Sequence, residues 1–204
     1  MDSRYRARFI NSLSGFKSAN LIGTHDCSGK SNLAIFSSVV HLGSSPALVG
    51  FIMRPDNGYR HTLDNIISTK NYTINQVSTE FYNSAHQSSA RYEKTQSEFI
   101  QIGLSEHYLG NIKAPFVKES RLKYAVKLKE VMPISLNDTL FIIGEITHVI
   151  CDKVAIKDDG YIDIEALEKV TVCGLESYHK SERLTRLSYA KPDVFTTDIS
   201  LNGT

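Results

Sequence analysis

Two arginines, a histidine and a threonine lie close together at a place where a strand is expected to give way to a helix. Arg54 and Arg60 flank a turn-forming segment, residues 55–58, and His61 and Thr62 follow directly. Guanidinium groups bind phosphate through paired hydrogen bonds, and a helix start offers unpaired N–H groups with a partial positive charge. These residue types in this order predict a phosphate-binding corner.

The segments on either side of this corner predict how it is positioned. The apolar run Ala47–Met53 is typical of a buried strand. After the turn, Leu63, Ile66 and Ile67 share one helical face, so we expect a helix that begins near Arg60 to Thr62. The spacing alone is equally compatible with an ordinary surface helix whose arginines are solvated.

Most of the remaining periodic segments predict strands. Residues 32–42 are rich in β-branched and aromatic side chains, and residues 72–77 form another candidate. In residues 121–130, apolar side chains alternate with arginine and lysine, which predicts one buried and one solvent-facing side. Residues 139–151 form a more apolar strand. Short strands without regular βαβ alternation favour a mostly β fold, either a barrel or a sandwich.

Short helices are predicted at two further places. Residues 80–90 are compatible with a helix, and Thr95 to Glu98 fit a capping box, in which a threonine and a glutamate three residues later close a helix start. We expect the whole chain, residues 1–204, to form a single domain, because no linker long enough to separate domains interrupts it.

Composition excludes several classes of protein. The net charge of +1 gives no broad electrostatic reason to bind nucleic acid or a membrane, and no apolar run reaches membrane-spanning length. The N-terminal arginines are not followed by the apolar segment of a signal peptide. The three cysteines are far apart and odd in number, which predicts free thiols and a cytoplasmic location.

Two other motifs do not support the chemistry that they suggest. Residues 23–31 resemble a P-loop, but five residues separate the glycines where four are required, and a strand is predicted to follow. His25, Asp26 and Cys27 are adjacent, and adjacent side chains rarely point at one ion. No GxSxG motif is present either, so we predict no metal site and no nucleophilic triad.

Several blocks, taken in order, resemble the flavin reductase-like family. They are residues 32–55, 60–66 and 72–75, with residues 174–178 and 183–192 near the C-terminus. The similarity is greatest to the flavoredoxin-type branch of FMN-binding split barrels and extends from about residue 20 to residue 192. It implies a mostly β fold, an FMN-binding split β-barrel with a few short helices.

The resemblance also implies a function. Members form homodimers with FMN near the subunit interface and pass electrons from NADH or NADPH through the flavin to an acceptor, either a redox partner protein or a small molecule. The alternative is an FMN-binding electron carrier that does not itself oxidise a nicotinamide. Because the flavin supplies the hard chemistry, no side-chain acid or base is required, and we name no catalytic residue.

The cofactor-binding residues follow from the same resemblance. Ser37 and Ser38 correspond to positions along the flavin and its ribityl chain, and Arg60 and Thr62 to phosphate-binding positions. The neighbouring candidates are Asn32, Ile35, Arg54, His61 and Asn65. Consecutive residues on a strand face opposite sides, so only one of the two serines can easily present its side chain to a ligand, and strand position does not decide which. Two serines on a strand are also compatible with simple solvation at an edge.

Overall fold

The computed structural model describes residues 1–55, 61–93 and 95–204. Its helices are α1 (Ser3–Ser12), α2 (His61–Thr69), α3 (Tyr82–Gln87) and α4 (Glu98–Ile102). Its strands are β1 (Lys17–Ser18), β2 (Asn20–His25), β3 (Ser31–Phe36), β4 (Val40–Ser44), β5 (Ala47–Met53), β6 (Asn71–Gln76), β7 (Glu106–Leu109), β8 (Ile112–Val117), β9 (Leu122–Ile134), β10 (Thr139–Cys151), β11 (Val170–Cys173), β12 (Ser177–Lys180), β13 (Arg186–Leu187) and β14 (Asp198–Ile199). Arg60, a predicted phosphate ligand, lies outside the described residues.

The largest sheet is antiparallel and has the strand order β3-β2-β6-β9-β10-β5-β4. Its two edge strands, β3 and β4, are consecutive in the chain, with only residues 37–39 between them. The four Cα steps from Phe36 to Val40 can span at most about 14 Å. The sheet must therefore curl until its edges approach, which gives a barrel that is split between β3 and β4. The predicted mostly β split barrel with a few short helices is confirmed.

One apolar cluster fills the interior of this barrel. Its fully buried members include Ile22, Phe51, Tyr72 and Ile142, and α2 contributes Leu63 and Ile66. The predicted apolar face of α2 is confirmed at these two positions, whereas Ile67 is 44% exposed. A second cluster packs α3 and α4 against β2 and β3 through residues such as Phe99 and Leu21. The two clusters hold β3 and the start of α2 in fixed positions.

The predicted strand at residues 32–42 is wrong in one respect, because β3 ends at Phe36 and a separate strand, β4, starts at Val40. The hydroxyl of Ser38 accepts a hydrogen bond from Ile52 N at 3.1 Å and lies 3.3 Å from Ile52 O, to which it donates. The Ser38 side chain therefore satisfies the backbone N–H and C=O groups of Ile52 in β5, as a neighbouring strand would do. The break allows the chain to leave one edge of the sheet and join the other.

Strand β9 also departs from the predicted alternation. Residues 122–126 are all buried, including Lys123, which was expected on a solvent-facing side. Its ammonium group donates to Val117 O at 2.8 Å and to Lys118 O at 3.0 Å. Burial lowers the pKa of Lys123, and these carbonyl oxygens accept hydrogen bonds from its ammonium group in place of water.

Across the described residues, no helix combines the length and apolar character that a bilayer crossing requires.

Candidate functional site

A cleft of about 870 Å³ lies beside β3. Its walls come from β3, the end of β5, the first turn of α2, the segment that follows α3, the C-terminal part of α1 and the β11–β12 hairpin. Seven of the residues predicted from the sequence line it: Asn32, Ile35, Ser37, Ser38, Arg54, His61 and Thr62. The fold thus brings together side chains that the sequence separates by up to thirty positions.

The start of α2 forms one end of the cleft. Strand β5 ends at Met53, and Arg54 and Pro55 continue along the cleft wall. His61 and Thr62, in the first turn of this nine-residue helix, line the same wall. The first N–H groups of a helix have no partner within it, and the helix dipole adds a partial positive charge. This end of the cleft is suited to bind an anion.

The two serines have different roles in the structure. The Ser38 hydroxyl is engaged with both backbone polar groups of Ile52, so it connects β5 to the segment after β3. Ser37 lines the cleft, and its hydroxyl has no hydrogen-bond partner among the described residues. Of the two serines, Ser37 is therefore the one whose hydroxyl is not engaged with another strand. A contact of either side chain with a cofactor stays a prediction.

Asn65 does not line this cleft. It is buried, and its amide donates to Thr24 Oγ1 of β2 at 3.1 Å. It borders a separate cavity of about 20 Å³ between α2 and the β2–β3 turn. The contact with Thr24 fixes α2 against the sheet, and a direct contact of Asn65 with a cofactor stays a prediction.

Glu98 is a residue of the site that the sequence did not indicate. The expected capping box is wrong, because Ser97 is the N-cap of α4 and makes no side-chain capping bond. The Glu98 carboxylate instead accepts a hydrogen bond from Leu33 N of β3 at 3.2 Å and lines the cleft. The local sequence pattern predicted a helix cap for Glu98. Its hydrogen bond to Leu33 depends on the packing of α4 against β3, which the local pattern does not contain.

Another part of the cleft wall is aromatic. His86 Nδ1 and the Tyr178 hydroxyl are 3.0 Å apart, and their rings meet edge to face with centroids 5.6 Å apart. Tyr92 lines the cleft as well, and burial raises the pKa of Tyr178. His86 and Tyr178 are far apart in the sequence, so no local pattern predicts their contact.

The end of β3 gives the cleft an apolar wall. Ile35 and Phe36 line it, and Phe36 packs edge to face on Phe51 with centroids 5.0 Å apart. Val39, which precedes β4, and Pro46, in the β4–β5 turn, do not line the cleft. Pockets that hold cofactors usually enclose about 300–1,000 Å³, with mostly apolar walls and a few polar groups. The cleft therefore has the size and the combination of apolar and polar walls that a cofactor site requires.

Comparison with known proteins identifies the family. The family model described as flavin reductase like domain matches residues 13–163, most of the chain. The chain belongs to the flavin reductase-like family. This flavin reductase-like protein is therefore assigned a flavin as its class of cofactor.

Solved structures give the same fold. A candidate flavin reductase with a split barrel domain from Shewanella frigidimarina is 54% identical, with a TM-score of 0.90 over 93% of this chain and 94% of that chain. Nitrilotriacetate monooxygenase component B from Bacillus cereus is 16% identical, with a TM-score of 0.82 over 92% of this chain and 95% of that chain. Flavoredoxin of Desulfovibrio vulgaris is 22% identical, with a TM-score of 0.72 over 88% and 92%. The last two similarities concern the fold alone.

Proposed function

We propose that this flavin reductase-like protein binds FMN and passes electrons from NADH or NADPH through the flavin to an acceptor. The observation that carries the proposal is the juxtaposition of the α2 start with the apolar wall of the cleft. His61 and Thr62 lie at the anion-binding end, and Ile35 and Phe36 lie beside it. A flavin mononucleotide has this arrangement, a phosphate joined by a short polar chain to a flat ring.

FMN is preferred over FAD because the chain offers one phosphate corner. The corner consists of the α2 start with Arg54, Arg60, His61 and Thr62, and a monophosphate is matched by such a set. FAD would add a second phosphate and an adenosine, for which the sequence has no evident partner. A GxGxxG dinucleotide fingerprint is also missing from the sequence, so a nicotinamide would bind transiently.

The residues of the cleft have binding and orienting roles in this proposal. A bound flavin supplies the redox chemistry by accepting a hydride from the nicotinamide. Ser37 would offer its hydroxyl to the polar part of the cofactor, and the apolar wall of Ile35 and Phe36 would shield the flavin from water. Arg54 and the α2 start offset the phosphate charge. No proton transfer by a side chain is required, so no catalytic residue is assigned.

We predict one FMN per subunit. Purified protein should show the absorbance of a bound flavin, and the cofactor released by denaturation should migrate as FMN in chromatography. Protein that has lost its cofactor should quench the fluorescence of added FMN with a stoichiometry of one. Colourless protein that also fails to quench FMN fluorescence would contradict the proposal.

Anaerobic reduction distinguishes the enzyme from the electron carrier. If the protein is an oxidoreductase that accepts electrons from a nicotinamide, NADH or NADPH should bleach the flavin absorbance without any added reductase. If it is an electron carrier supplied by another protein, dithionite should bleach the flavin and neither nicotinamide should do so. If both nicotinamides bleach the flavin, comparison of the rate with NADH and the rate with NADPH gives the preference between them.

We also propose a homodimer. Support comes from large apolar side chains that are exposed in the single chain, including Leu184 at 99%, Tyr189 at 88% and Phe195 at 96% in the C-terminal segment. On helix α1, Phe9 and Leu13 are exposed as well. Large apolar side chains at the surface are often covered by a partner in an assembly, and two-fold dimers are the commonest assembly. Residues 189–192 are proposed to lie near the flavin of the other subunit.

Light scattering tests this assembly. We predict a species of about 46 kDa, twice the 22.8 kDa mass of the chain. A monomer that still binds FMN would contradict the dimer.

We also propose that the protein works in the reducing cytoplasm. Support comes from its cysteines, because Cys27, Cys151 and Cys173 are free thiols.

A further inference from the structure

A lysine, a valine and a tyrosine form one row across the small sheet β1-β11-β12. Lys17 of β1 pairs with Val172 of β11, and Val172 pairs with Tyr178 of β12. Residues directly opposite each other in antiparallel strands place their side chains on the same face of the sheet, with Cβ atoms about 5 Å apart. All three residues line the cleft. The row therefore presents an ammonium group, an apolar side chain and a phenol to the cleft, in that order.

The ammonium group of Lys17 is held in place, but its charge is not neutralised. It donates to Asn11 O at 2.7 Å and to Gly174 O at 3.2 Å, and in the described part of the chain it is paired with no carboxylate. Glu176 also lines the cleft, but its carboxylate is paired with Arg8 at 3.0 Å. An ammonium group has three protons to donate, so one remains. An anion in the cleft would supply both the acceptor and the missing negative charge.

The phenol at the other end of the row is fixed by aromatic neighbours. The Tyr178 hydroxyl is 3.0 Å from His86 Nδ1, and the Tyr82 ring packs on the Tyr178 ring with centroids 5.6 Å apart. Tyr178 and Tyr92 pack against the apolar cluster that contains Val172. Aromatic rings contact one another in preferred offset or edge-to-face arrangements. A fixed phenol beside a buried valine is therefore a surface that favours another flat ring.

Strand β3 connects this surface to the proposed flavin site. At the start of β3, the Asn32 side chain lies 3.0 Å from Thr62 Oγ1 at the α2 start. Ile35, three residues further along, packs against the same cluster as Tyr92 and Tyr178. Three residues of a strand span about 10 Å. The aromatic surface thus adjoins the wall proposed for the flavin ring and lies away from the phosphate corner.

We propose that Lys17, Val172 and Tyr178 form a binding subsite for a small aromatic carboxylate. The carboxylate binds to the ammonium group of Lys17, and the ring packs against Val172 and Tyr178. One ammonium group matches one negative charge, and the short spacing along the row suits a ring with its carboxylate directly attached. Because the subsite adjoins Ile35, its ligand is a candidate for the small-molecule acceptor. That role rests on the proposed function, whereas the binding itself does not.

Three probes of similar size test the subsite: benzoate, benzamide and cyclohexanecarboxylate. Ligand-observed NMR titrations of the full chain measure their dissociation constants. Wild type should bind benzoate about tenfold more tightly than benzamide, which lacks the charge. It should also bind benzoate more tightly than cyclohexanecarboxylate, which lacks the flat ring. Absence of benzoate binding up to about 10 mM would overturn the proposal.

Lys17→Met removes the charge and keeps the aliphatic part of the side chain. It should weaken benzoate binding about tenfold and leave benzamide binding nearly unchanged, so that the preference for the anion disappears. Equal losses for the two probes would show that Lys17 only fastens its two carbonyl partners, and the subsite would be wrong. If Lys17→Met does not fold, Lys17→Gln replaces it, because the amide can still donate to a carbonyl oxygen. The same loss of preference is expected.

The matched control is Lys180→Met. Lys180 lies in β12 two residues after Tyr178, is 4.0 Å from the Glu168 carboxylate and does not line the cleft. This variant should bind all three probes as wild type does. A loss of benzoate affinity equal to that in Lys17→Met would show an effect of net charge alone and overturn the subsite.

Tyr178→Leu tests the aromatic part of the subsite. Leucine keeps an apolar side chain and removes the ring, so the preference for benzoate over cyclohexanecarboxylate should disappear. Benzoate and benzamide should both bind about three- to tenfold more weakly than to wild type. An unchanged preference for the flat ring would show that Tyr178 does not contact the ligand and would overturn the assignment.

Titrations with and without FMN separate the possible failures. Benzoate should bind to the FMN-loaded protein as well as to the FMN-free protein. Loss of benzoate binding in the presence of FMN would show that these residues belong to the flavin site, and the separate subsite would be wrong. If the protein does not bind FMN, the proposed function is wrong. The benzoate preference of that protein, and its loss in Lys17→Met, still decide the subsite.

Discussion

Replacement of Arg60 by alanine is expected to weaken FMN binding about 10- to 100-fold and to leave riboflavin binding nearly unchanged. The loss corresponds to about 1.5–3 kcal/mol, the usual contribution of a hydrogen bond to a charged group. Arg60 directly precedes His61, the first residue of α2, and residues of that first turn line the cleft. Fluorescence quenching titrations with both flavins measure the effect, and circular dichroism should show an unchanged fold.

The control for this prediction is Arg121→Ala. The Arg121 guanidinium is paired with Asp152 at 2.7 Å and does not line the cleft, so this variant changes the net charge equally without affecting the site. It should bind both flavins as wild type does. Equal losses of FMN and riboflavin affinity in Arg60→Ala, or no loss of either, would show that Arg60 is an ordinary solvated arginine.

The elements around the site were largely predictable because each depends on a local pattern. Strand β5 coincides with the apolar run Ala47–Met53, and α2 begins within the predicted window. Strand β6 lies within one residue of its prediction at residues 72–77. In these segments burial of a continuous or periodic set of apolar side chains decides the structure, and such a set is visible in the sequence.

The details that were missed depend on contacts between distant residues. Ser38 follows the end of β3 and its hydroxyl bonds to the backbone of Ile52, and the Glu98 carboxylate accepts a hydrogen bond from Leu33 N of β3. Lys123 is buried because carbonyl oxygens near the end of β8 receive its protons. From the sequence alone, side chains with hydroxyl, carboxyl or ammonium groups are predicted to face solvent. Their partners become known only when the fold brings separate strands together.

Strand β8 is held against β2 and β6 by hydrogen bonds of buried side chains. Asn75 of β6 accepts from Val117 N at 2.9 Å and donates to Leu21 O at 3.1 Å, so one buried amide joins β8 to β2 and β6. Nearby, Thr73 Oγ1 donates to Pro115 O at 2.5 Å. Gly23 of β2 lies beneath both groups. A Cβ atom there would be 2.2 Å from Pro115 O and 2.6 Å from Thr73 Oγ1.

Gly23→Ala is therefore expected to destabilise the protein by about 3 kcal/mol, because a methyl group must displace backbone atoms of β8 and break buried hydrogen bonds. For a chain of this size the melting temperature should fall by roughly 6–12 °C. The matched control is Gly43→Ala in β4, where the nearest atom to a new Cβ is Pro46 O at 3.4 Å, an ordinary contact. Differential scanning calorimetry on both variants tests the prediction. Similar melting temperatures for the two would show that β8 can move away from β2 at little cost.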